Sequence, residues 1–128
     1  MKEIRGRAVV PGRAAGIALV SEAAIGFLGG VDPDTGVVVE AGHPLAGQSV
    51  AGRVLVFPQG KGSTVGSYTI YRLARAGRAP AAIVNAESEA IVAVGALIAG
   101  IPMVDMVDIS LLRTGMRVEI DGEDLRFG

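Results

Sequence analysis

Short apolar runs, bounded by glycine or proline, dominate the first half of the chain and predict strands there. The pair Pro11-Gly12 separates the first two runs, and the loop GFLGGVDPDTG over residues 26–36 precedes the third. The run RVLVF is apolar at almost every position, which is typical of a strand buried on both faces. The predicted strands are residues 4–10, 16–20, 37–39 and 53–57.

Helical spacing appears in the second half. Residues 66, 70, 73, 74 and 77 fall on one helical face and predict a helix over residues 63–76, with Gly77 as its stop. A second helix is predicted over residues 87–99, with Glu87 and Glu89 where the helix dipole favours anions. This helix is apolar nearly all round, so we expect both of its sides to be covered. The sheet would cover one side, and a partner protein is a candidate for the other. Strands are predicted at residues 81–84, 101–104 and 116–120, before a charged C-terminus.

The order of elements is β-rich first, then β-α-β-α-β, then a closing strand. This order predicts a layered α/β fold with a parallel core sheet and an additional small β layer. The length of 128 residues fits one domain, residues 1–128, with no linker.

The composition excludes several classes of function. The net charge of −1 leaves no basic surplus for a phosphate backbone, which argues against nucleic acid as the main partner. The chain has no cysteine and one histidine, His43, so it predicts no disulfide, thiol nucleophile or metal site of its own. The longest uncharged apolar stretch, residues 90–104, is shorter than the about 20 residues of a membrane span. No secretory signal is evident at the start, and we expect a cytoplasmic protein without a membrane partner.

The sequence Gly60-Lys61-Gly62-Ser63-Thr64 lies between a predicted buried strand and a predicted helix. A glycine-rich turn lets backbone N–H groups converge, and the helix N-terminus adds donors with partial positive charge. With Lys61 beside them, these groups predict an anion-binding pocket at the carboxyl end of a strand. The stretch is not a Walker loop, because Gly62 separates the lysine from the hydroxyl residue.

Two interpretations of these hydroxyl residues remain open at this point. In one, Ser63 or Thr64 only caps the helix and the glycines only permit the turn. In the other, Ser63 accepts a proton, which requires that the same donors stabilise its alkoxide because a free hydroxyl is a very weak base.

Three motifs together, GKGST, GGVDPDTG and IPMVD, resemble those of the small subunits of aconitase X-type dehydratases. The likeness extends from about residue 6 to residue 122. Within this family the chain is most similar to the archaeal small subunits that act in the dehydration of (R)-5-phosphomevalonate to trans-anhydromevalonate 5-phosphate, a step towards isoprenoids.

The resemblance implies a single swivelling β/β/α domain of three layers, like the mobile domain of aconitase. It implies that Ser63 is the proton acceptor and that a separate large subunit holds a 4Fe-4S cluster, so that this chain acts only in the complex. A phosphorylated hydroxy acid is then the expected substrate. Candidate substrate-binding residues are Lys61, Gly62, Thr64 and Asp105, the last at the end of a predicted strand, where it could equally cap the next segment of the chain.

Other candidates have simpler explanations. Asp32 and Asp34 could line a cleft, but Asp-Pro and Asp-x-Gly are common in turns. His43 raises the alternative of a phosphohistidine carrier, although its loop, AGHPLAG, does not resemble that of such carriers and Pro44 restricts its geometry. Two further alternatives are a related dehydratase, for example one acting on cis-3-hydroxy-L-proline, and a non-catalytic module that binds an anion.

Overall fold

A computed structural model describes all residues, Met1–Gly128, and contains one sheet of eight strands. The strands are β1 (Lys2–Arg5), β2 (Arg7–Val10), β3 (Arg13–Val20), β4 (Val54–Phe57), β5 (Ala82–Asn85), β6 (Met103–Asp105), β7 (Arg117–Asp121) and β8 (Asp124–Phe127). Their order in the sheet is β1-β8-β7-β3-β4-β5-β6-β2. Strands β3 to β6 are parallel and every other pair is antiparallel, which confirms the predicted parallel core.

Strand β3 belongs to both halves of the sheet. Its first part, from Arg13 to Ile17, pairs with β7, and its last part, from Ala18 to Val20, pairs with β4. The two strands at the ends of the sheet order, β1 and β2, are consecutive in the chain and separated only by Gly6. The sheet therefore curls back on itself and encloses one of its faces.

The core has two parts, one on each face of the sheet. Along β4 the side chains alternate, so that Leu55 and Phe57 pack with the helices while Val54 and Val56 pack inside the curled sheet. All four residues of β4 and all four of β5 are buried, as the continuous apolar run predicts. Two β layers and one helical layer result, which agrees with the predicted β/β/α arrangement.

The helical layer consists of α2 (Gly66–Arg75) and α3 (Ala90–Ala99), which pack against each other. The remaining elements are a single turn, α1 (Phe27–Gly30), and a 3-10 turn, η1 (Ile109–Leu111). Both long helices start three residues later than predicted. Glu89 is extended and its carboxylate accepts hydrogen bonds from the N–H groups of Ile91 and Val92, so it caps α3 and cannot lie inside it. None of these helices is long and apolar enough to span a membrane.

Three strand predictions need correction. The strand predicted over residues 4–10 is interrupted at Gly6, where a Cβ atom would lie 2.5 Å from the carbonyl oxygen of Asp105. Residues 37–39 make only isolated bridges, between Val31 and Val38 and between Val37 and Ser49. The charged C-terminus forms β8, which pairs with both β7 and β1.

Candidate functional site

The loop that follows β4 is held at the edge of the sheet by backbone hydrogen bonds. Ile25 N–H donates to Gln59 O over 3.2 Å, and Lys61 N–H donates to Ile25 O over 3.1 Å. Gly60, between them, is buried; a Cβ atom there would collide with Glu89 Oε1 and lie 2.5 Å from Val92 Cγ2. Only glycine lets the chain pass this close to the capped start of α3, so α3 fixes the path of the loop that carries Ser63.

Ser63 lies on the protein surface, and its Oγ accepts a hydrogen bond of 3.2 Å from Val65 N–H. Gly62 has a φ of +90°, which turns the chain just before Ser63. The N–H groups of Gly62, Ser63 and Thr64 donate no hydrogen bond to any other part of the chain. Three neighbouring donors are thus available for an anion or for water.

These free donors lie before α2 and not in its first turn. Gly66, Ser67 and Tyr68 donate their N–H groups to the carbonyl oxygens of residues 63, 64 and 65 over 2.9, 3.3 and 2.9 Å. The N-cap of α2 is Val65, with no side-chain hydrogen bond. Helix α2 itself begins after Val65, but Ser63 Oγ accepts the N–H of Val65, so Ser63 caps the turn that leads into the helix. The amides that are free for an anion are those of the loop.

Lys61 is the only charged side chain between β4 and α2, and it already has a partner. Its Nζ lies 3.2 Å from both carboxylate oxygens of Glu40. The lysine stem runs over Gly26, where a Cβ atom would lie 3.4 Å from Lys61 Cγ. Lys61 therefore links the Ser63 loop to the segment of residues 25–40.

Asp105 lies at the end of β6 and is completely buried. Its carboxylate accepts two hydrogen bonds from Arg7 and two from Ser88. The hydrogen bond from Arg7 lowers the pKa of Asp105 below its ordinary value; burial opposes this effect and the Ser88 donors add to it. The carboxylate thus holds strands and a loop together, and this geometry gives no support to its predicted contact with substrate.

The remaining candidates have structural partners. Asp32 Oδ1 accepts hydrogen bonds from the N–H groups of Asp34 and Thr35, which confirms the turn interpretation. His43 is buried; its Nε2 donates to Ala24 O and its Nδ1 accepts from Leu45 N–H, each over 3.0 Å. With both ring nitrogens engaged, His43 is poorly placed to carry a phosphoryl group.

Sequence reasoning missed Glu40, the partner of Lys61, and the contact between Gly60 and Glu89. The only local signal was the glycine-rich stretch GFLGG, whose Gly26 lies against Lys61 and whose Gly30 lies beside Glu40. Neither partner is close to the loop in sequence.

Ser63 does not lie in a pocket of this chain. It lines none of the three main surface hollows, whose volumes are about 530, 470 and 400 Å³. Leu28, Val65 and Tyr68, on the loop and helix around it, are large apolar side chains with half or more of their surface exposed. A small substrate at Ser63 would need a second surface to enclose it.

No group of three or more histidine, cysteine, aspartate and glutamate side chains is arranged to hold a metal ion. Because the chain also has no cysteine, it offers no ligand set for an iron–sulfur cluster.

The chain is similar to known proteins over nearly its whole length. A family model described as the aconitase X swivel domain matches residues 3–126. The phosphomevalonate dehydratase small subunit of Thermococcus gammatolerans is 56% identical over 122 residues, which cover 95% of this chain and 93% of that protein. The protein of the same name from Methanocella arvoryzae is 56% identical over 123 residues, or 94% of this chain and 93% of that protein. The crystal structure of Thermococcus kodakaraensis aconitase X in its holo-form superposes with a TM-score of 0.98 at 51% identity, covering 100% of this chain and 99% of that chain.

Proposed function

The chain belongs to the aconitase X swivel-domain family, and on that premise we propose that it is the small subunit of a phosphomevalonate dehydratase. With a large subunit it would convert (R)-5-phosphomevalonate to trans-anhydromevalonate 5-phosphate and water. The names of relatives that match nearly their full length support the substrate. The observation that carries the mechanism is an exposed Ser63 beside three unused backbone N–H groups.

Ser63 is proposed as the proton acceptor. As the C–H bond breaks, the proton goes to Ser63 Oγ, its electron pair forms the new double bond, and the hydroxyl group on the adjacent carbon leaves. Proton and hydroxyl together account for the water lost. Before the transfer the serine must be an alkoxide, and the N–H of Val65, which already donates to Oγ, would stabilise that charge.

The free N–H groups and Lys61 are proposed to bind the anionic parts of the substrate. Gly62 and Thr64 would contribute their backbone N–H groups, which suit phosphate or carboxylate oxygens. Lys61 would contribute the only full positive charge of this loop. The residues that bind would thus flank the residue that takes the proton.

The cofactor and the enclosing surface are proposed to come from the large subunit. A 4Fe-4S cluster there would supply Lewis-acid chemistry, since this chain has no ligands for one. The exposed apolar side chains of Leu28, Val65 and Tyr68 around Ser63 would contact that subunit and exclude water from the site. We therefore expect the isolated chain to be inactive.

The test is an anaerobic assay of the co-purified pair with Ser63→Ala, using Ser110→Ala as a matched surface-serine control. Loss of the proton acceptor should lower kcat by about 10²- to 10⁴-fold, whereas Ser110→Ala should leave it unchanged. Activity of Ser63→Ala within a few-fold of wild type would contradict the proposed mechanism and favour a non-catalytic anion-binding module. A pair that dehydrates cis-3-hydroxy-L-proline but not 5-phosphomevalonate would contradict the substrate alone.

A further inference from the structure

The ion pair of Lys61 and Glu40 joins the Ser63 loop to the segment of residues 25–40. The proposed chemistry does not require this contact. Glu40 lies at the end of a segment whose backbone is fixed to α1, since the N–H groups of Val39 and Glu40 both donate to Gly30 O. The lysine Nζ lies 3.2 Å from both Glu40 oxygens, so the carboxylate receives the ammonium symmetrically. The charge nearest to Ser63 in sequence is therefore paired with a carboxylate.

A glycine lies beside each member of this pair. At Gly26 an added Cβ would lie 3.4 Å from Lys61 Cγ and 3.7 Å from Cε, so the lysine stem lies along that residue. At Gly30 an added Cβ would lie 3.7 Å from Glu40 Oε1. The Lys61 stem therefore packs against the backbone at Gly26, whereas Glu40 makes only ordinary contacts with Gly30.

The pair is exposed enough to exchange partners. The side chain of Lys61 is 49% exposed and that of Glu40 is 33% exposed. Ion pairs in such surroundings contribute little to stability, because water competes for both charges. A phosphate group, with up to two negative charges and several acceptor oxygens, can therefore displace one carboxylate from the ammonium.

We propose that Glu40 is a specificity-determining residue, which holds Lys61 in the empty site and releases it only to a strongly anionic group such as a substrate phosphate. This inference rests on the proposed function, in which Lys61 binds the anionic part of the substrate. A singly charged carboxylate offers Lys61 no more than Glu40 already does. Competition from Glu40 thus favours the binding of phosphorylated over unphosphorylated hydroxy acids.

The decisive variant is Glu40→Gln in the complete complex, because it keeps the shape of the side chain and removes its charge. With its competitor removed, Lys61 should bind phosphate more readily, so KM for 5-phosphomevalonate should fall about two- to fivefold while kcat stays unchanged. The fall should be larger at low ionic strength, where exposed charges are less screened. The inhibition constant of inorganic phosphate should fall in parallel.

Asp121→Asn is the matched control. Asp121 forms an ion pair with Arg13, at 3.3 Å, that is more exposed than the pair of Lys61 and Glu40, and it lies beside the first residue of β3, at the end of the sheet opposite the Ser63 loop. It loses the same charge, so it should leave KM and the phosphate inhibition constant unchanged. An equal fall in KM for both variants would show a general effect of net charge and overturn the proposal.

An unchanged or increased KM in Glu40→Gln would also overturn the proposal. A lower kcat with unaltered KM would overturn it too, because it would show that the ion pair only holds the loop in place. If the complex does not act on 5-phosphomevalonate, calorimetric titration of the complex with inorganic phosphate replaces the assay. Tighter phosphate binding in Glu40→Gln than in Asp121→Asn then supports the role of Glu40 although the substrate assignment has failed. Equal binding overturns it.

Discussion

Arg7 donates two hydrogen bonds to the buried carboxylate of Asp105, from Nε to Oδ1 over 2.9 Å and from Nη2 to Oδ2 over 2.6 Å. The Arg7 side chain remains 66% exposed, whereas that of Asp105 is 0% exposed. Ser88 completes the arrangement with donors from its Oγ at 2.6 Å and its N–H at 3.2 Å, both to Oδ2. The contact joins the edge strand β2 to β6 and to the segment that leads into α3.

This asymmetry predicts that Arg7 matters more than its exposure suggests. Arg7→Met would leave a buried carboxylate with only the Ser88 donors, and we expect the free energy of unfolding to fall by clearly more than when an exposed ion pair is broken. The measurement is urea denaturation of the purified chain. Arg13→Met, which removes an exposed pair with Asp121, is the control and should cost less than about 1 kcal/mol. Equal effects of the two variants would refute a special role for the buried carboxylate.

The lowered pKa of Asp105 predicts a loss of stability in acid. Because its folded pKa lies below the unfolded value of about 3.9, the ionised carboxylate stabilises the fold fully at pH values above that unfolded value. The contribution is lost as the pH falls through the folded pKa, when the buried carboxylate takes up a proton. The difference in unfolding free energy between wild type and Asp105→Asn should therefore be constant above about pH 5 and shrink below about pH 4. A difference that stays constant down to about pH 2 would contradict this assignment.

Much of the fold could be predicted because its parallel core consists of continuous apolar runs. Strand β4 lies within its predicted run, β5 is shifted by one residue and β6 begins two residues later than predicted; all three are buried and mostly apolar. The break at Gly6 could not be predicted, because it arises from a contact with Asp105, far along the chain. Strand β8 was missed because alternate polar residues face solvent and its partners, β1 and β7, are set by the topology.

The site could be predicted only in its local part. The composition of the loop indicated an exposed Ser63 among unused amides, and the structure has that arrangement. The hydroxyl residues before the helix also predicted a cap, and Ser63 does accept the N–H of Val65, but it caps the turn before α2, whose own N-cap is Val65. Glu40 could not be found, since its contact with Lys61 depends on the path of the loop over residues 25–40 and not on spacing.

The packing of Gly60 predicts a link between α3 and Ser63, the proposed proton acceptor. In Gly60→Ala the new Cβ would overlap the Glu89 carboxylate and press on Val92, so the loop must move away from α3. We expect a loss of about 1–3 kcal/mol in stability, because extra atoms in a packed site force shifts. The complex should lose up to about 10²-fold in kcat, because Ser63 moves with the loop.

Gly30→Ala is the control for this variant, because a Cβ there makes only ordinary contacts of 3.7 and 3.9 Å with Glu40. It should change stability by less than about 1 kcal/mol and kcat by only a few-fold. If Gly60→Ala keeps the kcat of wild type, the position of Ser63 does not depend on the packing of Gly60 against α3.

The exposed apolar side chains around Ser63 predict where the large subunit binds. Tyr68 on α2 and Leu97 on α3 are 67% and 65% exposed, so they are equally available on neighbouring helices, but only Tyr68 lies within a turn or two of Ser63. An aspartate at either position should change the stability of the isolated chain by no more than about 0.5 kcal/mol. Tyr68→Asp should nevertheless weaken association with the large subunit by at least about tenfold, because a charge would be buried against apolar surface.

Leu97→Asp is the matched control and should leave the affinity for the large subunit within about twofold, as measured by biolayer interferometry under anaerobic conditions. The comparison separates an interface centred on Ser63 from one centred on α3, since the substitutions introduce the same charge at the same exposure. If Leu97→Asp abolishes association and Tyr68→Asp does not, the large subunit covers α3 instead. Ser63 would then face solvent in the complex, and its role as proton acceptor would have to be abandoned.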